Sequence, residues 1–262
     1  MNAAAPQLTT RQRQVKDEFI AVRGTWSQAW ERVLELDAEF LHAYLDWSAV
    51  PLRKGHLEPK AREFIFIAAD AAATHLYTPG IRQHIRAALD LGAAAAEVME
   101  VLELTSTLGI HACNIGIPLL IEVLEEEGKR TGSAPLTAQQ EKLKADFTAS
   151  RGYWHQFWDG LLELDPELFT AYLEFSSLPW RQGVLPPVVK ELVYIAFDAA
   201  ATHLYAPGLK LHMRNAVRLG ASTEEIIEVL EIVSVIGIHA ATTAVPILAE
   251  ELARMPHQVP GD

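Results

Sequence analysis

Apolar residues recur at steps of three and four along most of this chain. Phe19, Val22, Trp26, Trp30, Val33 and Leu34 form one such stripe, and the spacing predicts a helix with one buried side. Asp165-Pro166-Glu167 has the order of an N-cap, a first-turn proline and a first-turn acid, which predicts a helix carrying Phe169 and Tyr172. Asp37 takes the cap at the corresponding place upstream. An alanine-rich helix is predicted over 62–75 and again over 190–203, close-packed on its neighbours, with the Pro-Gly of LYTPG and LYAPG as its stop. The next helix runs through His84 to Leu91 and ends at Gly92. Ser222 and Glu225 then have the spacing of a capping box, for a helix that runs to Gly237, or to Gly109 in the first half. A last helix carries Pro118 or Pro246 near its first turns. No segment alternates as a strand does, so the fold class is all-α.

The same pattern is written twice. THLYTPGIRQHIRAALDLGA returns as THLYAPGLKLHMRNAVRLGA, and Gly24, Trp30, His75 and Pro118 return as Gly152, Trp158, His203 and Pro246 at one constant offset of 128 residues. A repeat of this length implies two copies of one folding unit rather than a solenoid of short modules. The domain boundaries read 8–128 for the first helical repeat, 129–135 for a linker rich in turn residues, and 136–256 for the second repeat.

Composition narrows the class. Half of the 262 residues are hydrophobic and 21% are charged, the balance of a chain that buries a core. A net charge of −12 argues against nucleic acid or an anionic membrane as partner. Cys113 is the single cysteine, so no intrachain disulfide forms, as suits a reducing compartment. The N-terminus lacks the apolar run of a signal peptide, and no stretch reads as long and apolar enough to span a bilayer. A cytoplasmic protein acting on a small molecule is the expectation.

Histidine carries the candidate chemistry. Six of the ten histidines form matched pairs, His75/His203, His84/His212 and His111/His239, whereas His42, His56, His155 and His257 have no counterpart. The matched ones fall at predicted helix ends, where a cleft can form and imidazole can transfer protons near neutral pH. The expectation is that the three histidines of one repeat share a cavity. A buried histidine bonded to a carbonyl, or one set against a helix dipole, is the purely structural role open to each. Glu63/Glu191 and Asp70/Asp198 are matched acids two turns apart on the alanine-rich helix, and an acid there needs a partner, for which His and Arg are the candidates; for Asp70 a buried pair with Arg86 is one choice. Arg53/Arg181 and Arg86/Arg214 are matched cations suited to a substrate carboxylate or to surface pairing. Tyr77/Tyr205 can donate to substrate or pack in the core. Glu97, Glu100 and Glu103, with Glu225, Glu228 and Glu231, read as a solvated helix face. Cys113 matches Ala241, and no CxxC exists, so thiol chemistry is not shared by the repeats.

From Arg62 to Gly128, and again from Lys190 to about Arg254, the chain resembles the carboxymuconolactone decarboxylase family, which includes the AhpD-type alkylhydroperoxidases. The matching pieces are Arg62-Glu63 and Lys190-Glu191 before the alanine-rich helix, His84-x-Arg86-x-Ala88 with a weaker copy at His212–Ala216, Leu-Gly-Ala before an acidic helix, and a glycine junction before a long helix. The resemblance implies a small all-α unit that assembles into trimers or hexamers. A tandem chain is then similar to two fused subunits, and three chains rebuild a pseudo-hexamer. It also implies catalysis at His84 and His212, with Glu63 and Glu191 beside them. AhpD-like members place a CxxC where this chain reads His75-Leu-Tyr-Thr-Pro-Gly80, so the resemblance also leaves room for a degenerate alkylhydroperoxidase. The favoured expectation is a lyase of the decarboxylase branch acting on a small carboxylated lactone or keto acid, in aromatic compound catabolism. In it His84 or His212 moves the proton, His75 or His203 stabilises the enolate, His111 and His239 complete the set, and no organic cofactor or metal takes part. A histidine metal site and a non-enzymatic helical scaffold also stay open.

Overall fold

Each repeat opens on the same side-chain cap. The Thr9 hydroxyl accepts from the Gln12 backbone N–H at 3.1 Å while the Gln12 side chain accepts from the Thr9 N–H at 2.9 Å, and Thr137 and Gln140 do the same at 3.3 and 2.8 Å. The computed structural model describes residues 7–255; the first six residues, Pro256 at the end of the second repeat, and His257 lie outside the described residues.

In the first repeat the helices are α1 (Thr10–Arg23), α2 (Gln28–Leu36), α3 (Ala38–Ser48), α4 (Val50–Lys54), α5 (Pro59–Ala71), α6 (Thr78–Asp90), α7 (Ala95–Ser106) and α8 (His111–Glu126). The second repeat has α9 (Ala138–Arg151), α10 (Asp159–Leu164), α11 (Pro166–Gln182), α12 (Pro187–Ala199), α13 (Ala206–Arg218), α14 (Thr223–Ser234) and α15 (His239–Arg254). Among the described residues there is no strand, and the all-α class holds. The caps at Asp37, Asp165 and Ser222 form as their sequences imply.

Two local expectations are corrected. The stripe from Phe19 to Leu34 is not one helix: Gly24 ends α1 in the left-handed region at φ 69°, and Ser27 caps α2. The apolar period survives the break because Phe19 packs against Trp26 and Trp30 across the corner, at 5.3 and 4.9 Å between ring centroids. Nor does Pro-Gly end the alanine-rich helix. That helix stops earlier, at Ala71 and Ala199, and the proline sits in the first turn of α6 and α13, where its missing N–H costs nothing.

By contact density the described residues group into two compact units, and neither is a sequence repeat. One holds the described residues up to His56 together with those from Ser234 on; the other is Leu57–Val233. The last helix of each repeat accounts for the difference. In the first unit α15 packs along α2, and in the second α8 packs on α10. Each terminal helix therefore covers the opening helices of the other repeat.

The second unit is built around α5 and α12, which pack on one another and on α6 and α13 respectively. Ala68, Ala69, Ala72, Ala196 and Ala200 are all fully buried, which is the close approach their small side chains permit. Thr74 and Thr202, equivalent residues of the two repeats, have their hydroxyls 3.4 Å apart. Cys113 on α8 packs against the cluster of Phe147, Trp158, Leu161 and Phe169.

The glutamate face is corrected as well. Glu100 and Glu228 are buried, not solvated. Glu100 pairs with Lys190 at 2.7 Å and accepts from the N–H groups of Val184 and Leu185; Glu228 pairs with Arg62 at 3.0 Å and accepts from Leu57 N–H. Periodicity placed these acids on a polar face, but that face meets the other repeat, whose cation and loop amides replace water.

Two continuous helical runs, Ala95–Glu126 and Thr223–Arg254, are long and apolar enough to cross a bilayer by length and composition alone. Gly109 and Gly237 read as helix ends in the sequence; instead a 3-10 turn carries each run through its glycine.

Candidate active site

The packing of α5 on α6 sets Glu63 against His84. The Glu63 carboxylate lies 2.7 Å from His84 Nδ1, and Phe66 stacks on the imidazole at 4.2 Å with the rings 5° from parallel. In the second repeat Glu191 lies 2.6 Å from His212 Nδ1, Tyr194 stacks on the ring at 4.2 Å, and Asn215 Nδ2 donates to the other carboxylate oxygen. Both histidines are buried. Glutamate and aromatic shelf together hold each ring with Nδ1 committed, leaving Nε2 as the atom for chemistry.

After α12 the chain turns sharply. His203 N–H bonds the Ala200 carbonyl at 2.8 Å, and Leu204 takes φ 49°; Leu76 does the same after His75. A branched residue in the left-handed region is strained, and the same strain at the same place in both repeats marks a position held for a purpose. The turn delivers the half-buried His203 to His111 at the start of α8. Their Nε2 and Nδ1 atoms are 2.7 Å apart, so one nitrogen carries the hydrogen and the other accepts it. Tyr205 stacks on His111 at 3.9 Å. Burial, helped by the charges His203 and His212 would carry, pushes His111 down to about 3, so the ring is neutral.

Asp198 completes the cluster. It is fully buried, with Oδ1 3.7 Å from His111 Nδ1 and neither oxygen hydrogen-bonded. Gly208, in the first turn of α13, lies so close that a Cβ there would overlap the carboxylate. Burial raises the Asp198 carboxyl to about 8, and the Glu191 charge adds to this. Since Glu191 acts on Asp198 and His212 on His111, dyad and cluster form one electrostatic neighbourhood.

The histidines therefore do not assemble repeat by repeat. His111 of the first repeat meets His203 of the second, because α8 crosses over to cover the second repeat's helices. His75 is half-buried with its ring 6.1 Å from Tyr77, and burial lowers its pKa. His239 is half-buried at the start of α15, in the other compact unit. Arg53, Arg86 and Arg214 are exposed, and Arg181 pairs with Glu174 at 2.8 Å on the surface. Tyr205 is buried and Tyr77 half-buried. Sequence reasoning left histidine or arginine open as the partner of Asp198 but did not single out His111; the retained glycines Gly80 and Gly208, each directly after a proline, were a further trace of this packing.

The family model described as carboxymuconolactone decarboxylase matches residues 38–109 and 166–250, more than half of the chain. The chain belongs to the carboxymuconolactone decarboxylase family. Both Glu–His dyads and His203 fall inside the matched segments, whereas His111 lies just beyond the first. A crystal structure from Burkholderia xenovorans LB400, of a protein provisionally named a gamma-carboxymuconolactone decarboxylase subunit, is 55% identical. The similarity covers 95% of this chain and 99% of that one, with a TM-score of 0.90. No curated protein matches the chain.

Proposed function

We propose that this member of the carboxymuconolactone decarboxylase family is a lyase that removes CO2 from a small carboxylated lactone or related keto acid by histidine acid/base chemistry. The observation that supports it most is the buried Glu191–His212 pair, 2.6 Å apart, in the same electrostatic neighbourhood as the neutral His111 and its partner His203. As the substrate carboxylate leaves as CO2, the electrons of its C–C bond pass into the conjugated carbonyl and form an enolate. An N–H of His203 stabilises the enolate oxygen, and placement of donors where charge develops is usually the largest contribution to rate. His212 Nε2 then delivers a proton to the carbon that lost CO2, and the ring recovers one from solvent. Glu191 orients His212 and balances its charge while it holds the proton. Glu63–His84 has the same arrangement in the first repeat. The exposed arginines take no part in this scheme. A cytoplasmic homo-oligomer fits the single cysteine and the exposed apolar residues of α8 and α15.

Carboxymuconolactone is the probe, with CO2 release followed. Wild-type protein should turn it over, and His212→Gln or Glu191→Gln should lower kcat by about 10²–10⁴ at that site. If the double variant His84→Gln/His212→Gln turns over at the wild-type rate, the reading fails.

A further inference from the structure

We propose that His111, Asp198 and His203 bind a divalent transition-metal cation such as Zn2+. The three side chains offer His111 Nδ1, His203 Nε2 and a carboxylate oxygen, all within 4.8 Å of one another. Two imidazoles and one carboxylate form a donor set suited to zinc, and three protein ligands leave a fourth position for water or a substrate oxygen.

The carboxylate argues most strongly for the ion. Asp198 is fully buried, its oxygens accept no hydrogen bond, and its nearest ionic partner is His111 Nδ1 at 3.7 Å. A buried polar group without a hydrogen bond is costly, and a cation coordinated by it and by the two rings would satisfy it. The nitrogens argue the same way. His111 Nδ1 and His203 Nε2 face each other at 2.7 Å, and a tetrahedral ion with bonds of about 2.0–2.1 Å needs them only roughly half an ångström further apart. The ligands are also held by rigid features: Gly208 packs on the carboxylate, Tyr205 stacks on His111, and the left-handed Leu204 aims His203. His203 is half-buried, and Leu204 beside it is exposed. The positions one repeat away from His111, Asp198 and His203 carry the same three residue types, as His239, Asp70 and His75.

This inference goes beyond the acid/base reading and does not depend on it, since binding is measured without substrate. Chelator-treated full-length protein is titrated with Zn2+ by calorimetry and with Co2+ by visible absorption. Wild-type protein should bind Zn2+ and develop the d–d bands of four-coordinate Co2+. Asp198→Asn and His203→Gln should each bind one equivalent less. His203→Cys should add a thiolate-to-cobalt charge-transfer band that wild-type protein lacks, which reports ligation at this position directly. Wild-type protein that gives neither heat nor d–d bands, variants that bind as many equivalents as wild type, or a folded His203→Cys protein without the new band would each overturn the proposal. Wild-type protein that binds the metal but releases no CO2 from carboxymuconolactone would count against the acid/base reading alone.

Discussion

Gly208 shows how a single atom organises the site. A Cβ at this position would meet an Asp198 oxygen and two carbons of the Tyr205 ring, so only glycine lets α13 start against the carboxylate. Gly208→Ala should destabilise the protein by about 1–3 kcal/mol through overpacking, read as a lower midpoint in urea. Asp70, the counterpart of Asp198 in the first repeat, gives a pH test. Burial raises its carboxyl from 3.8 to about 8, so across that window the folded chain holds a proton that the unfolded chain has released. Stability should therefore fall as pH rises through the window and level off above it. Asp70→Asn should remove that part of the slope; identical slopes in urea melts from acid to neutral pH would show that Asp70 is ionised in the fold. At this scale the paired histidines and glutamates were legible as types, because the duplication displays what both copies kept. Their partners were not, since a ring at position 111 and another at 203 meet only through packing.

Helices were legible in outline, with their errors where a terminus depends on neighbours. Capping boxes at Thr9, Thr137 and Ser222 are local and were readable or of a readable kind. The end of the alanine-rich helix was misplaced because a Pro-Gly pair can close one helix or open the next, and the turn at Leu76 and Leu204 selects the second. The acids of α7 and α14 illustrate the limit of periodicity. A polar stripe shows that a face is not apolar, but not whether water or another charge covers it. Breaking the buried Glu100–Lys190 pair with Glu100→Gln should cost about 3–5 kcal/mol, and the double variant Glu100→Gln/Lys190→Met should recover most of the loss. Additive losses in a double-mutant cycle would count against a direct coupling.

For the whole molecule, the outward face of α8 carries Ile115, Leu119, Leu120 and Val123, and α15 carries Ile247, Leu248 and Leu252, all about half exposed. Contiguous apolar stripes on long helices mark surfaces that partners cover. Light scattering should give a multiple of the 29.0 kDa chain mass, three for the expected trimer, and Leu119→Glu/Val123→Glu should reduce it. A monodisperse monomer of wild-type protein would remove the oligomer from the account. The amino-acid sequence by itself determined the helical class, the doubling and the residue types available for chemistry, because these follow from short-range periodicity and from comparing the chain with itself. Tertiary structure alone decided which histidine meets which. That pairing depends on α8 packing over the second repeat, and such a choice between equivalent partners is set by long-range packing that leaves no local signal in the chain.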